Sequence, residues 1–180
     1  AFDTGEKLRY RVTYGFVDAG EAIIEVKETD ITRDGRALHH VVATGKTLGG
    51  FNAFYKVEDK YESYIDQKSM MPWVFKRKVD EGGYKINQRY DFKQNKSIVN
   101  NGEKDYSITM GIQDMISSFY KARTLNFNNM EIGKEFSFEC FMDDEIFTLK
   151  IKYMGEEEIK IRKGKFNCYK FVPVVQTGRY

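Results

Sequence analysis

The sequence is poor in several residue types that mark particular classes of protein. Among 180 residues there are only two cysteines, two histidines and two prolines. No apolar run approaches the roughly 20 residues that a transmembrane helix needs. Lysine and arginine (29) nearly balance aspartate and glutamate (27), which leaves a net charge of +2 with no block of like charge. We therefore expect neither a nucleic-acid footprint nor a polybasic membrane patch.

Cysteine and histidine are too few, and wrongly spaced, for a metal site. Cys140 and Cys168 form no C-x-x-C pair. The histidines, His39 and His40, are adjacent, so on a strand their side chains point to opposite faces. Structural zinc sites use four such ligands. The sequence therefore predicts no metal site and no cofactor, and it predicts two free thiols that pack as small apolar groups without a disulfide.

Aromatic residues are plentiful, and apolar side chains recur with a period of two. Phenylalanine, tyrosine and tryptophan make up 15% of the chain, which favours long strands where proline is scarce. In KLRYRVTYG (7–15) the apolar residues take alternate positions, as in a half-buried strand. The same alternation returns at 21–28, 37–47, 54–66, 70–80, 84–92, 134–142 and 146–154, and hairpins are predicted at 97–108 and 156–175.

Turn residues separate these segments. We expect Val17–Gly20 to join the first two strands, with Gly20 supplying a positive φ angle. Glu21, which follows, is expected to pair with Arg9 or Arg11 across the hairpin and not to mark a working site. Further turns are predicted at Asp34-Gly35, Asn101-Gly102, Asp143-Asp144 and Lys163-Gly164.

One segment departs from the two-residue period. In GIQDMISSFYKAR the residues Ile112, Met115, Ile116 and Phe119 follow the i, i+3, i+4, i+7 spacing of one helix face. An amphipathic helix is therefore predicted at 111–123. With about ten long strands and frequent turns, the chain is expected to be a single mostly β domain (1–180). We predict one antiparallel meander curled into a partly open barrel, with the helix against its concave side.

The shared parity of each strand and the shared face of the helix predict a set of mostly buried side chains. These are Leu8, Tyr10, Val12, Ile24, Val26, Phe75, Ile112, Met115, Phe119, Phe138, Leu149 and Ile151.

Five stretches together resemble a known family over almost the whole chain. They are GEKLRYRVTYGFVDAGEA, VEDKYESYID, PWVFKRKVDEGGY, QDMISSFYKAR and GKFNCYKFVPVV. The sequence resembles the exported bacterial domain-of-unknown-function 3108 family, common in Bacteroides-like organisms. The resemblance implies a cleaved signal peptide and a periplasmic or exported location, and it carries no assigned catalytic residue. Such proteins continue beyond the position of Pro173 into a final hairpin, so we expect that hairpin to be missing here.

The carboxylates suggest no catalytic pair. Asp59 and Glu62 are three residues apart and would face opposite sides of a strand, whereas a glycosidase pair must face each other about 5–10 Å apart. Asp143-Asp144-Glu145 and Glu156–Glu158 are expected to be solvated turns without calcium-loop spacing. Signatures of a nucleophile, a base and a phosphate loop are all missing, so an enzyme is not expected.

Two classes of function stay open. The first is a ligand-binding module, in which a curved sheet holds an apolar, lipid-like chain or an aromatic platform holds a glycan. The candidate ligand-binding residues are Met115, Phe119, Trp73 and Tyr61, and the expected cleft lies between the sheet and the helix at 111–123. The second class is a structural or protein-interaction module of the cell envelope. The sequence leaves the oligomeric state open.

Overall fold

The computed structural model describes residues 2–174, and strands make up most of them. They form a larger and a smaller antiparallel sheet. The strands of the larger sheet are β1 (Lys7–Tyr14), β2 (Val17–Lys27), β3 (Thr32–Arg33), β4 (Arg36–Thr47), β5 (Glu58–Asp66), β6 (Pro72–Glu81), β7 (Tyr84–Lys93), β8 (Ile98–Asn100) and β9 (Asp105–Ser107). Apart from β3, which pairs only with β4, they lie side by side in chain order.

The smaller sheet follows the second helix and has three strands. They are β10 (Glu135–Met142), β11 (Glu145–Ile161) and β12 (Gly164–Pro173), in the order β10-β11-β12. The two α-helices are α1 (Phe51–Phe54) and α2 (Met115–Ala122), and a 3-10 turn occupies Gln94–Lys96. Within residues 2–174, neither helix has the length and apolar character to cross a membrane.

Backbone register shows which side chains share a face of the larger sheet, because directly opposed residues of neighbouring strands point to the same side. One opposed series crosses β2, β4, β5, β6 and β7: Val26, Val41, Ser63, Phe75 and Tyr90. We call the side that carries this series the inner face and the opposite side the outer face. The neighbouring series, with His40, Tyr64 and Val74, lies on the outer face.

Helix α2 covers part of the inner face and closes the main core. Ile112, Ile116 and Tyr120 are buried and pack with Phe75 of β6 and Phe141 of β10. Complete burial of a side chain of this size contributes about 1.5–3 kcal/mol. The main core therefore lies between the inner face, α2 and the first strand of the smaller sheet.

Asp114 begins α2 and is fully buried. One carboxylate oxygen accepts hydrogen bonds from the backbone N–H groups of Ile116 (2.8 Å) and Ser117 (2.7 Å). The other accepts a hydrogen bond from the Ser63 hydroxyl on β5 (2.6 Å), so the helix start is bonded to the inner face. Burial raises the pKa of the Asp114 carboxyl to about 6, against the effect of these hydrogen bonds.

Two further contacts hold the smaller sheet to the rest of the protein. Gln113 exchanges backbone hydrogen bonds of 2.8 and 2.9 Å with β10. At the turn between β10 and β11, Asp143 pairs with Arg77, and the Tyr90 hydroxyl donates to the Asp144 carboxylate (3.0 Å). Asp143 is exposed, as expected of a solvated turn, but Asp144 is partly buried by this docking onto the inner face.

The predicted mostly β, antiparallel class is confirmed, and so is a helix within 111–123. The partly open barrel is not confirmed, because neither sheet is closed or strongly curled. The chain forms two sheets where a single meander was predicted. The physical reason is that the segment carrying α2 separates β9 from β10, and β10 then joins α2 through Gln113 in place of extending the first sheet.

Three local predictions differ from the structure. The first hairpin turns at Gly15-Phe16, where Gly15 has a φ of 60°, so the prediction of a loop at Val17–Gly20 is wrong. Gly20 lies inside β2 beside a β-bulge and does not have the predicted positive φ angle. The alternating segment predicted at 54–66 becomes a strand only from Glu58, because residues 51–54 form α1. The turn predicted at Glu156–Glu158 is wrong, because β11 runs unbroken through these residues, with a register shift of one residue before Gly155.

The burial prediction holds for the core strands and fails in two places, at the uncovered end of the inner face and on the exposed side of α2. Three of the predicted side chains are fully buried: Val26, Phe75 and Ile112. Five are partly buried: Leu8, Ile24, Phe138, Leu149 and Ile151. Four are exposed: Tyr10, Val12, Met115 and Phe119. Among these only Val12, at 56%, exceeds half exposure, so the predicted register stands.

Both cysteines lie in the smaller sheet, as does the end of the described chain. Cys140 is buried, Cys168 is partly buried, and both are free. They lie on β10 and β12, which are separated by β11. Strand β12 pairs with β11 on one side, and the hairpin predicted to be missing after Pro173 falls outside residues 2–174.

We expect Asp114→Asn to change how stability depends on pH. The pKa of the Asp114 carboxyl is about 6 in the folded protein and 3.8 ordinarily. The contribution of this carboxyl to the free energy of unfolding is therefore complete below pH 3.8 and is lost as the pH rises through 6. The loss is on the order of 2–3 kcal/mol. Asparagine still caps the helix but does not titrate. In urea unfolding between about pH 4 and pH 7, the wild type should therefore lose this amount of stability relative to Asp114→Asn.

Other carboxylates, such as Glu6 beside Arg123, titrate in both proteins and cancel in the difference. Parallel stability curves for the wild type and Asp114→Asn would contradict the raised pKa.

Candidate functional site

Part of the inner face lies beyond the reach of α2. The helix has eight residues and is about 12 Å long at 1.5 Å per residue, whereas strands β2 and β4 have 11 and 12 residues. At the end of the sheet near α1, Tyr10 and Val12 are exposed on this face. Small residues replace large ones on the neighbouring strands.

These uncovered positions form a groove of about 400 Å³, a size within the range of ligand sites. Gly20, Ala22 and Gly45 make its floor, and the side chains of α1 and its surroundings make one wall. We call it the apolar groove. The residues that line it are Val12, Ala19, Gly20, Glu21, Ala22, Gly45, Lys46, Thr47, Phe51, Phe54, Tyr55 and Val57.

The aromatic wall is held in place by local hydrogen bonds and by one glycine. Thr47 on β4 donates to the Asn52 side chain on α1 (3.1 Å) and accepts from the Val57 N–H (3.0 Å). Gly82, in the turn between β6 and β7, lies against the Tyr55 ring. A Cβ atom at residue 82 would stand 2.4 Å from Tyr55 Cε2. Only glycine therefore lets Tyr55 keep its position.

Gly20 and Glu21 act on different faces of β2. A Cβ atom at Gly20 would approach the Lys46 carbonyl oxygen to 3.1 Å, so the missing side chain allows β2 and β4 to lie close and keeps the floor low. The Glu21 carboxylate is almost fully buried, pairs with Arg9 as predicted, and has Lys46 Nζ at 3.9 Å. Glu21 therefore links β1, β2 and β4 beneath the groove.

The polar side chains around the groove already form ion pairs or hydrogen bonds within the protein. Glu21 is paired with cations, and the Thr47 hydroxyl both donates and accepts hydrogen bonds within the protein. A glycan site needs free donors and acceptors beside its aromatic platform, whereas an apolar chain needs only surface to bury. The chemistry of this lining suits an apolar ligand better than a glycan.

The four residues predicted to bind ligand lie in three separate places. Met115 and Phe119 lie on the exposed side of α2, with 41% and 40% of their surface accessible. Tyr61 is partly buried against the main core on the inner face. Trp73 packs against Leu38, Tyr64 and Val74 in a separate cluster, part of it on the outer face.

The groove was missed because its floor consists of small residues. The available signal was the coincidence of Gly20, Ala22 and Gly45 with the otherwise apolar parity of β2 and β4, next to the aromatic stretch FNAFY (51–55). Missing large side chains at inward positions indicate a depression in the face only if nothing else fills it, and the sequence does not show what lies above.

The ionisable groups with strongly shifted pKa values lie inside the protein, away from the groove. Asp114 is 0% exposed and Cys140 only 1%, and burial raises the pKa of the Cys140 thiol to about 12. His40 is half-buried on the outer face, where burial lowers its pKa against the hydrogen bond to Glu62 (2.8 Å). In the part of the chain that the structure describes, no group of His, Cys, Asp and Glu could hold a metal ion.

We expect Gly82→Ala to disturb the groove wall while Gly83→Ala does not. Both glycines have positive φ angles, but only a Cβ at Gly82 meets Tyr55; nothing lies within 4 Å of one at Gly83. Backbone strain is therefore common to both variants at about 1 kcal/mol or more. Gly82→Ala should shift the Tyr55 ring resonances in NMR spectra, whereas Gly83→Ala should leave them unchanged. Equal effects of the two substitutions would contradict this role of Gly82.

Comparison with known proteins identifies the family but adds no relative of known activity. Neither a curated protein nor a solved structure gives a significant match to this chain. The sequence profile of one family matches residues 9–180, almost the whole chain. The protein therefore belongs to the family described as Protein of unknown function (DUF3108).

Proposed function

We propose that this protein is a non-catalytic binding module of the cell envelope and that it holds an apolar, lipid-like chain in the apolar groove. The observation that carries the proposal is the groove itself, with its glycine and alanine floor and its wall of Phe51, Phe54 and Tyr55. Covering these surfaces would remove apolar area from water, which is the main driving force for binding such a ligand.

The surroundings of the groove support the same proposal. Phe16 in the first hairpin turn is fully exposed, Phe54 on α1 is 90% exposed and Tyr14 is 77% exposed. These residues cluster at the end of the larger sheet where the groove opens, and the Tyr14 and Phe51 rings lie 6.3 Å apart. Exposed apolar patches of this kind mark binding surfaces in soluble proteins. The envelope location rests on the family resemblance.

We expect Gly45→Phe to block the groove. Gly45 has no positive φ angle, and a Cβ there stays 4.0 Å from Asp59, so phenylalanine fits the strand and projects into the groove. Thr44→Phe is the matched control, because the adjacent residue points to the outer face and is exposed. Nile red titration should show at least about tenfold weaker binding for Gly45→Phe and no change for Thr44→Phe.

A third variant, Met115→Trp, tests whether the dye binds in the apolar groove or in the cleft that the sequence predicts beside α2. If Met115→Trp weakens dye binding and Gly45→Phe does not, the site lies at the helix. If none of the variants changes binding, and solvent extracts of the purified protein contain no lipid by mass spectrometry, the proposal is wrong.

A second candidate, a protein-interaction module, is favoured by the far end of β11 and β12. From Glu156 to Asn167 every residue of this two-stranded ribbon is exposed, and such ribbons are only marginally stable alone. One side of it carries Ile159, Ile161 and Phe166, each about half exposed, with Ile159 directly opposite Phe166. We propose that this apolar side pairs with the same side of a second copy.

Ile159→Lys should then convert a dimer to a monomer in sedimentation equilibrium, because it places a charge in the centre of the contact. Asn167→Lys adds the same charge on the opposite side of the ribbon and should leave the dimer intact. A wild-type protein that stays monomeric at high concentration would contradict this candidate.

A further inference from the structure

The outer face of the larger sheet carries a second recess, of different chemistry. It is lined from β5, β6 and β7, has a volume of about 380 Å³, and holds Lys60, Lys76, Lys78 and Arg89. We call it the basic trough. The other residues that line it are Glu62, Asn87, Gln88 and Asn101. Because it lies on the opposite side of the sheet from the apolar groove, its role is independent of the function proposed above.

Backbone register places like charges directly opposite each other in the basic trough. Lys60 on β5 is opposed to Lys78 on β6, and Lys76 on β6 is opposed to Arg89 on β7. Directly opposed side chains have Cβ atoms about 4.5–5.5 Å apart, and like charges in that arrangement are destabilising. The protein therefore keeps two unfavourable cross-strand pairs side by side.

The carboxylates nearby do not neutralise this cluster. Glu62 is directly opposite Lys76 in the register, but its carboxylate contacts Lys60 and His40, at 2.8 Å from each. Asp91 binds Arg89 through two hydrogen bonds of 2.6 and 2.7 Å. Within residues 2–174, neither Lys76 nor Lys78 takes part in an ion pair.

The lysines that lack a carboxylate partner have nevertheless defined surroundings. Lys76 Nζ lies over the Tyr64 ring, 5.3 Å from its centroid, and the Tyr64 ring stacks on His40 at 4.3 Å. Lys78 is opposed on its other side by the neutral Asn87, whose amide can donate a hydrogen bond. The Arg89 guanidinium uses Nε and Nη2 for Asp91, which leaves Nη1 available.

We propose that the basic trough binds the phosphate group of a phosphorylated ligand. Lys76 and Lys78 supply the two charges that match a phosphate dianion, and Asn87 and Arg89 Nη1 donate to its remaining oxygens. A phosphate accepts more hydrogen bonds than a carboxylate and carries more charge, so it relieves more of the repulsion between the opposed cations. The ligand is either a soluble phosphorylated compound or the headgroup of a phospholipid.

Pyrophosphate is the probe for the first source, titrated calorimetrically into the purified protein at low ionic strength. Lys78→Gln should weaken binding at least about tenfold, since it removes one charge and one donor from the site. Lys163→Gln is the matched control. It makes the same charge change at an exposed position in the turn between β11 and β12, and it should leave the affinity unchanged.

Thermal unfolding at low salt tests whether Lys78→Gln folds as stably as the wild type. Lys78→Gln removes the repulsion with Lys60, so its melting temperature should equal or exceed that of the wild type. If Lys78→Gln has a higher melting temperature than the wild type and a lower affinity for pyrophosphate, the charge cluster serves ligand binding and not stability. Equal affinities of Lys78→Gln and Lys163→Gln for pyrophosphate, or a wild type that binds neither pyrophosphate nor vesicles, would overturn the proposal.

Vesicle sedimentation distinguishes the two sources. If the wild type sediments with vesicles of phosphatidic acid, whose headgroup is a phosphate monoester, more than with phosphatidylcholine vesicles, and Lys78→Gln loses this difference, the ligand is a lipid headgroup. If pyrophosphate binds but the vesicles do not, the ligand is a soluble phosphorylated compound. If vesicles bind equally to the wild type and to Lys78→Gln, the binding is not at the basic trough, and the headgroup assignment falls.

Discussion

The hydrogen bond from Ser63 to the buried carboxylate of Asp114 is the contact on which the arrangement of this protein depends. It joins the start of α2 to the inner face of the larger sheet, while Gln113, one residue earlier, joins the same point to β10. A buried carboxylate is unfavourable unless its oxygens are satisfied, so the helix can begin only where these donors converge. The position of α2, and hence the part of the sheet that it leaves open, follows from this requirement.

A polar contact also sets the docking of the smaller sheet. The turn at Asp143-Asp144 reaches Arg77 and Tyr90 on the inner face, and Phe141 is buried beside it. The partly buried hydrogen bond from Tyr90 raises the specificity of this docking, because the buried Tyr90 hydroxyl would be costly without a partner. With α2 and β10 fixed in this way, the inner face is covered at one end and bare at the other, where Gly20 and Gly45 lie.

Alternation along the same strands then produces two recesses with opposite chemistry. On β5 and β6, residues of one parity face the core, and residues of the other parity, including Lys60 and Lys78, face solvent. The larger sheet thus presents an apolar groove on its inner face and a basic trough on its outer face. A ligand with both an apolar chain and a phosphate could not fill both recesses at once without reaching round the sheet, which is why the two proposals are tested separately.

The sequence by itself determined the strands, most turns and the faces of the strands, because these depend on neighbours within a few residues. Asp34-Gly35, Asn101-Gly102 and Asp143-Asp144 all form turns as predicted, and Val26 and Phe75 are buried as their parity requires. Only the tertiary structure decided what lies above each face. Val12 and Phe75 have the same kind of alternating context, but α2 and β10 cover only the second. Gly45 became the floor of a groove, and Lys60 came to oppose Lys78, because strand pairing and helix docking join residues far apart in the chain, and a local pattern carries no information about such contacts.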